Sequence, residues 1–149
     1  MVLLLLLLLL LHLVTSYELS CFVVLCGALL GPGNEATLNF YLTNFTSQIS
    51  LLTEITNIQY LGGDTNTTGG LRLMRTEVFN SANGDRSDVR NVAVLITDGI
   101  PNLEVELLPG EVATIRSLGI RTIGVGVSNK VSSWQSTSMS VSAVDKLTR

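Results

Sequence analysis

Tyr60-Leu61-Gly62-Gly63-Asp64-Thr65-Asn66-Thr67-Thr68-Gly69-Gly70-Leu71 is a polar, glycine-studded loop between two stretches of helical periodicity. Its counterpart further along is Val92-Ala93-Val94-Leu95-Ile96-Thr97-Asp98-Gly99, a continuous apolar run that ends in a carboxylate. Such a run reads as a parallel strand buried on both faces. Ligands of open α/β sheets bind beyond the carboxyl ends of the strands. Asp98 therefore stands where a site would be built, and Gly99 lets the backbone turn away with no side chain in the path.

The rest of the chain supplies partners for that strand. Cys21-Phe22-Val23-Val24-Leu25 reads as a strand feeding the sheet, and Gly31-Pro32-Gly33-Asn34 as a turn. Cys21 and Cys26 on one straight strand are too far apart to pair and read as two small buried thiols. Ala36 to Leu42 alternates, with Leu38, Phe40 and Leu42 on one side, which is the pattern of a half-buried edge strand. A helix is expected over residues 47–57, capped by Thr46 or Ser47, with Ile49, Leu52 and Ile55 on an apolar face and Leu51 and Ile58 flanking. That face is expected to pack on the sheet. A second helix is expected over 70–80, capped by Thr67 or Thr68, burying Leu71, Met74 and Val78 while Arg72, Arg75 and Glu77 face water. Asn83 to Asp88 reads as an exposed turn. Pro109-Gly110-Glu111 opens a third helix carrying Val112, Ile115 and Leu118, and Gly119 closes it at C′. Ile120 to Val127 is another buried strand. Helix-bearing connections between strands imply parallel neighbours, so the fold class is α/β, a doubly wound, mostly parallel sheet flanked by helices.

Three blocks in order carry a family resemblance: Tyr60 to Leu71, Val94 to Gly99, and Gly119-Ile120 to Gly126-Val127. Together they resemble the second half of a von Willebrand factor type A domain, most clearly over residues 36–128. In texture they are similar to the repeated A domains of non-fibrillar collagens and matrilins. The resemblance implies that Ala36 to Leu42 is the antiparallel strand of the sheet. It also implies a divalent cation, Mg²⁺ or Mn²⁺, above the sheet in a metal-ion-dependent adhesion site. In the family an Asp-x-Ser-x-Ser loop, a threonine and an aspartate hold that ion, and a partner's carboxylate completes the shell. The threonine falls on Thr65 and the aspartate on Asp98. The Asp-x-Ser-x-Ser loop has no match in this chain. One hydroxyl and one carboxylate are too few for an ion that takes six oxygens and sheds water reluctantly, so metal binding is expected to be weak or absent. A structural role competes: Thr65 beginning its loop, and Asp98 accepting hydrogen bonds from backbone N–H groups.

Composition narrows the chemistry. The chain has 149 residues, enough for at most one domain, and is 46% apolar. Charged residues make up 14%, against a usual share of about 25%. A net charge of −3 carries no nucleic-acid or anionic-membrane footprint. The one histidine, His12, lies inside the opening leucine run. Without it, Ser-His-Asp and Cys-His arrangements are out of reach, and a zinc site nearly so. Residues 1–16 read as a signal peptide, although no Lys or Arg precedes the apolar run; an uncleaved anchor or a faulty gene model is the alternative, and membrane contact follows only if that run is retained. Residues 17–149 then form a partial domain, off pattern beyond Val127, where serine-rich sequence stands in place of a late helix.

Asn44-Phe45-Thr46 and Asn66-Thr67-Thr68 are N-glycosylation sequons, with Asn44 the better acceptor because a glycan at Asn66, within the Thr65 loop, would crowd any partner. The expected function is a secreted, extracellular module that binds matrix or cell-surface proteins, not an enzyme. Two alternatives stand beside it. One is an unstable fragment of a larger matrix protein. The other is a Rossmann-type enzyme, which Gly124-Val125-Gly126 supports poorly, because those glycines lie in a strand and open no helix.

Overall fold

The computed structural model describes residues 21–27, 35–44, 46–58, 64–97 and 101–126. The expected leader, the turn at 31–34, Tyr60 to Gly63, Asp98, Gly99 and everything beyond residue 126 lie outside them. Among the described residues three strands form one parallel sheet in the order β1 (Cys21–Gly27), β2 (Asn91–Thr97), β3 (Arg121–Gly126). Gly27 lies opposite Thr97 at one end of the first pair, and Thr97 opposite Gly126 at the same end of the second. All three carboxyl ends therefore share one rim. β2 is the interior strand, and Val92, Ala93, Val94 and Leu95 are all buried, as a strand covered on both faces requires. Cys21 and Cys26 are five residues apart on β1, about 16 Å at strand rise, beyond disulfide reach; burial of their thiols lies outside the described side chains.

The helices are α1 (Gln48–Asn57), α2 (Thr67–Leu73) and α3 (Leu108–Ser117). α2 runs on without a break into a π-helical turn, Met74–Val78, marked by Phe79 N–H donating to Met74 C=O at 2.9 Å. β-Branched Thr76 and Val78 weaken the α form there. Leu71, Met74 and Val78 are buried as their spacing predicts, and they join Ala93, Val112, Ile115 and Ile120 in the core. α3 ends in a Schellman motif: Gly119 N–H reaches Arg116 C=O, and Ile120 N–H reaches Ile115 C=O. Gly119 has φ +73°, the left-handed conformation that the motif requires. Ile115 and Ile120, the residues flanking it at C3 and C″, share the core.

Four expectations are corrected. Ala36 to Leu42 is not a strand; among the described residues only Ala36 makes a bridge. The alternation nevertheless holds in burial, with 36, 38, 40 and 42 half-buried and their neighbours exposed, and Leu38 and Leu42 pack on the core. On α1, Ile49 is 77% exposed, and the half-buried stripe is Leu51, Ile55 and Ile58, one to two turns apart; the Leu52 side chain lies outside the described residues. None of the described α1 side chains is buried, so tight packing of that helix on the sheet is not observed. On α3, the expected core residue Leu118 is 59% exposed because the helix has already ended before it. Arg72, Arg75 and Glu77 do not face water freely but are half-buried, the two arginines because they pair with Glu104, beyond β2, and with Glu111 of α3.

The segment after the π-helical turn is tightly tied. Asn83 Nδ2 donates to Glu77 C=O at 2.7 Å, and Asn80 Oδ1 accepts from Ala82 N–H at 3.0 Å. Gly84 has φ +99°, and a Cβ there would come within 2.7 Å of Thr43 Cγ2. Glycine is thus required twice over, by conformation and by close approach.

Candidate functional site

The loop preceding α2 is clamped to the loop that leaves β2. Thr65 N–H donates to Asn102 Oδ1 at 2.7 Å, and Thr65 C=O accepts from Asn102 N–H at 3.1 Å. Asn102 Nδ2 donates to Asp64 Oδ1 at 2.6 Å. One asparagine thereby holds two consecutive residues of the glycine-rich loop. Pro101, just before it, is buried and stiffens the approach. Thr65 itself is buried. Asp98, the other residue singled out in the sequence, lies outside the described residues, four positions before Asn102 in the chain.

A second clamp is built on Glu104. Its carboxylate accepts from Arg72 Nη2 at 2.7 Å and from Asn66 Nδ2 at 3.2 Å, while its carbonyl accepts from Thr68 Oγ1 at 2.9 Å. Its backbone sits at φ +50°, a left-handed conformation that costs a side-chain-bearing residue about 1–2 kcal/mol. Three tertiary hydrogen bonds hold it there. The carboxylate also lies beside the N-terminal turn of α2, where the helix dipole favours negative charge.

The hydrogen bond from Arg72, then that from Asn66, holds the Glu104 carboxyl below its ordinary range. A lowered folded-state pKa stabilises the domain above the unfolded value, and the contribution fades as pH falls through both. The stability difference between wild type and Glu104→Gln, read from urea midpoints, is therefore expected to be largest near neutrality and to shrink as pH falls from about 5 to 3. Both side chains are more than a third solvated, so the effect is modest and weakened by salt.

The cap of α2 is not Thr67 or Thr68 but Asn66, whose Oδ1 accepts from Gly69 N–H at 2.7 Å. Thr68 is committed to Glu104, and the Thr67 hydroxyl is buried, at 4% exposure, with no partner. Asn102, Glu104 and Arg72 were not evident as site residues in the sequence. Their signal is only a pairing across more than thirty residues, which no local periodicity carries.

The residues at the rim do not fit a tightly held cation. A ligand sharing an ion with Asp98 has to come from the loop at Thr65 or from the carboxyl end of a strand beside β2. β1 delivers Cys26 and Gly27 to that rim, and Ala28, Leu29 and Leu30 follow in sequence; none has a side-chain oxygen. β3 delivers Val125 and Gly126. Among the described residues no three His, Cys, Asp or Glu side chains cluster as a metal set. A hard cation that requires six oxygens would find few side-chain ligands among the described residues of this rim.

Comparison with known proteins agrees with this architecture. Residues 26–142 match the model of the von Willebrand factor type A domain. Cochlin from Bos taurus is 31% identical over 109 residues, covering 73% of this chain and 19% of cochlin. The transmembrane cell adhesion receptor mua-3 of Caenorhabditis elegans is 35% identical over 95 residues, 62% of this chain and 2% of the receptor. The chain thus spans a fifth or less of these relatives. Among solved structures, proximal thread matrix protein 1 from the mussel byssus superposes with a TM-score of 0.61 at 18% identity, covering 73% of this chain and 37% of that one. A further structure of that protein is described as having a zinc-occupied MIDAS motif. The parallel sheet, the matched span and the relatives agree: the chain belongs to the von Willebrand factor type A domain family.

Proposed function

We propose that this chain is a secreted, extracellular binding module that engages matrix or cell-surface proteins at the carboxyl rim of its sheet. Thr65 and Asp98 are what remains there of a shared cation site, and Mg²⁺ or Mn²⁺ is bound weakly or not at all. The observation supporting the reading is the Asn102 clamp, which ties Thr65 to a residue four positions after Asp98 in the chain. Among the described residues no helix is long and apolar enough to cross a membrane. Relatives that include a collagen chain and an adhesion receptor support binding rather than turnover.

Metal dependence tests it. Titration calorimetry with Mg²⁺ or Mn²⁺ is expected to give no submillimolar binding, and retention of the protein on immobilised extracellular matrix is expected to survive EDTA. Submillimolar affinity that disappears in Asp98→Ala, or EDTA-sensitive retention, overturns the weak-metal reading. Absence of any retention overturns the matrix-binding one.

A further inference from the structure

We propose that the chain carries one N-linked oligosaccharide, at Asn44, and that the sequon at Asn66 is closed to modification in the folded domain. This rests on the secretory part of the preceding reading, because the modification takes place in that pathway. Both sites satisfy Asn-x-Ser/Thr with a non-proline middle residue; the structure separates them.

In the modification, Nδ2 of the asparagine forms a bond to C1 of a sugar donated by a lipid-pyrophosphate-linked oligosaccharide. The C1–O bond breaks, its electron pair leaves with the lipid pyrophosphate, and Nδ2 loses one proton. The product needs Nδ2 facing water, with room for a bulky sugar.

Asn44 meets that condition. It is exposed, and so is Thr46, the hydroxyl residue of its sequon. The amide is oriented by a turn: Asn44 N–H donates to Tyr41 C=O at 3.2 Å, and Asn44 Oδ1 accepts from Tyr41 N–H. The turn uses the oxygen of the side chain, and among the described residues none takes the nitrogen. Neighbouring Thr43 packs on Gly84, in the segment that feeds the amino end of β2.

Asn66 fails on every count. Its Oδ1 caps α2, and its Nδ2 donates to Glu104. A Cβ added at Gly69 would lie 3.0 Å from its amide atoms, so the side chain is closely packed. Thr67 and Thr68 are buried, and the Thr68 hydroxyl, third in the sequon, is spent on the Glu104 carbonyl. A sugar on Nδ2 would displace Glu104 and release the clamp.

The full chain, produced in secretory cells, is to be treated with peptide N-glycosidase and mapped by mass spectrometry. Conversion of asparagine to aspartate is expected at residue 44 and not at 66. Asn44→Gln and Thr46→Ala are each expected to abolish the whole electrophoretic shift, and Asn66→Gln to leave it intact. A parallel arm places a strong cleavable leader ahead of the full chain. Modification of Asn44 in that arm alone upholds the site and refutes secretion by the chain's own leader. No modification of Asn44 in either arm, or a folded secreted protein modified at Asn66, overturns the proposal.

Discussion

Leu71→Ala is expected to lower the unfolding free energy by about 2–5 kcal/mol, the largest loss from any single truncation considered for this chain. Leu71 is 0% exposed and belongs to the cluster that joins α2 to Ala93 of β2 and to Val112 and Ile115 of α3. Truncation removes its transfer free energy and leaves a cavity between elements that cannot close independently. α2 is pinned at its start by the Asn66 cap and the Glu104 clamp, and its continuation is pinned by Asn83. The walls therefore relax little, which places the cost toward the upper part of the range. Domains of this size are stable by only about 5–15 kcal/mol, so the variant is expected to melt far earlier in urea with an unchanged denaturant slope. Ile49→Ala, at a site 77% exposed, is the control and is expected to shift stability by no more than about 0.5 kcal/mol. Equal losses in the two variants would contradict the position of the core.

The contrast between those two residues shows what the sequence carried. Leu71, Met74 and Val78 recur at helical spacing, and only one face of a helix can bury all three. α1 offered two overlapping stripes, through Ile49 and through Leu51, and local spacing cannot choose between stripes that differ by a rotation about the helix axis. The neighbouring segments decide that. At Ala36 to Leu42 the alternation correctly marked which side chains turn inward, yet it could not show whether the backbone finds a ladder partner, because periodicity describes faces and not hydrogen bonds. Strand β2 was legible for the opposite reason: five consecutive apolar residues, Val92 to Ile96, leave a short buried strand few alternatives.

The site was legible only in its local parts. The Thr65 loop and the run to Asp98 stand out because glycine, hydroxyl and carboxylate cluster within a few residues. The clamps that join the two loops do not, since Asn102 bonds Thr65 across 37 positions and Glu104 bonds Arg72 across 32. Arg72 and Arg75 look like solvated charges on a helix until acids arrive from elsewhere. Each arginine lies three residues from the other, and their partners, Glu104 and Glu111, lie seven apart on a different segment, so no pattern in either segment alone announces the pairing.

Of these two ion pairs, Arg75–Glu111 is the one whose disruption carries a large effect, and its two halves are expected to be unequal. Arg75 Nε meets Glu111 Oε1 at 2.6 Å and Nη2 meets Oε2 at 3.3 Å, a forked contact between the π-helical turn and α3. The side chain of Glu111 is 9% exposed and that of Arg75 24%. Arg75→Met keeps the apolar stem but leaves a carboxylate stranded away from water, at a cost of about 2–3 kcal/mol. Glu111→Gln keeps an acceptor for the guanidinium, and the longer arginine can turn its head to solvent, so the cost is about 1 kcal/mol. Replacing both, Arg75→Met with Glu111→Leu, is expected to recover much of the loss, because no charge then remains without a partner. A thermodynamic cycle from urea unfolding measures all three. A loss from Glu111→Gln as great as that from Arg75→Met would show that water already reaches the carboxylate, and that the pair is a surface contact despite its geometry.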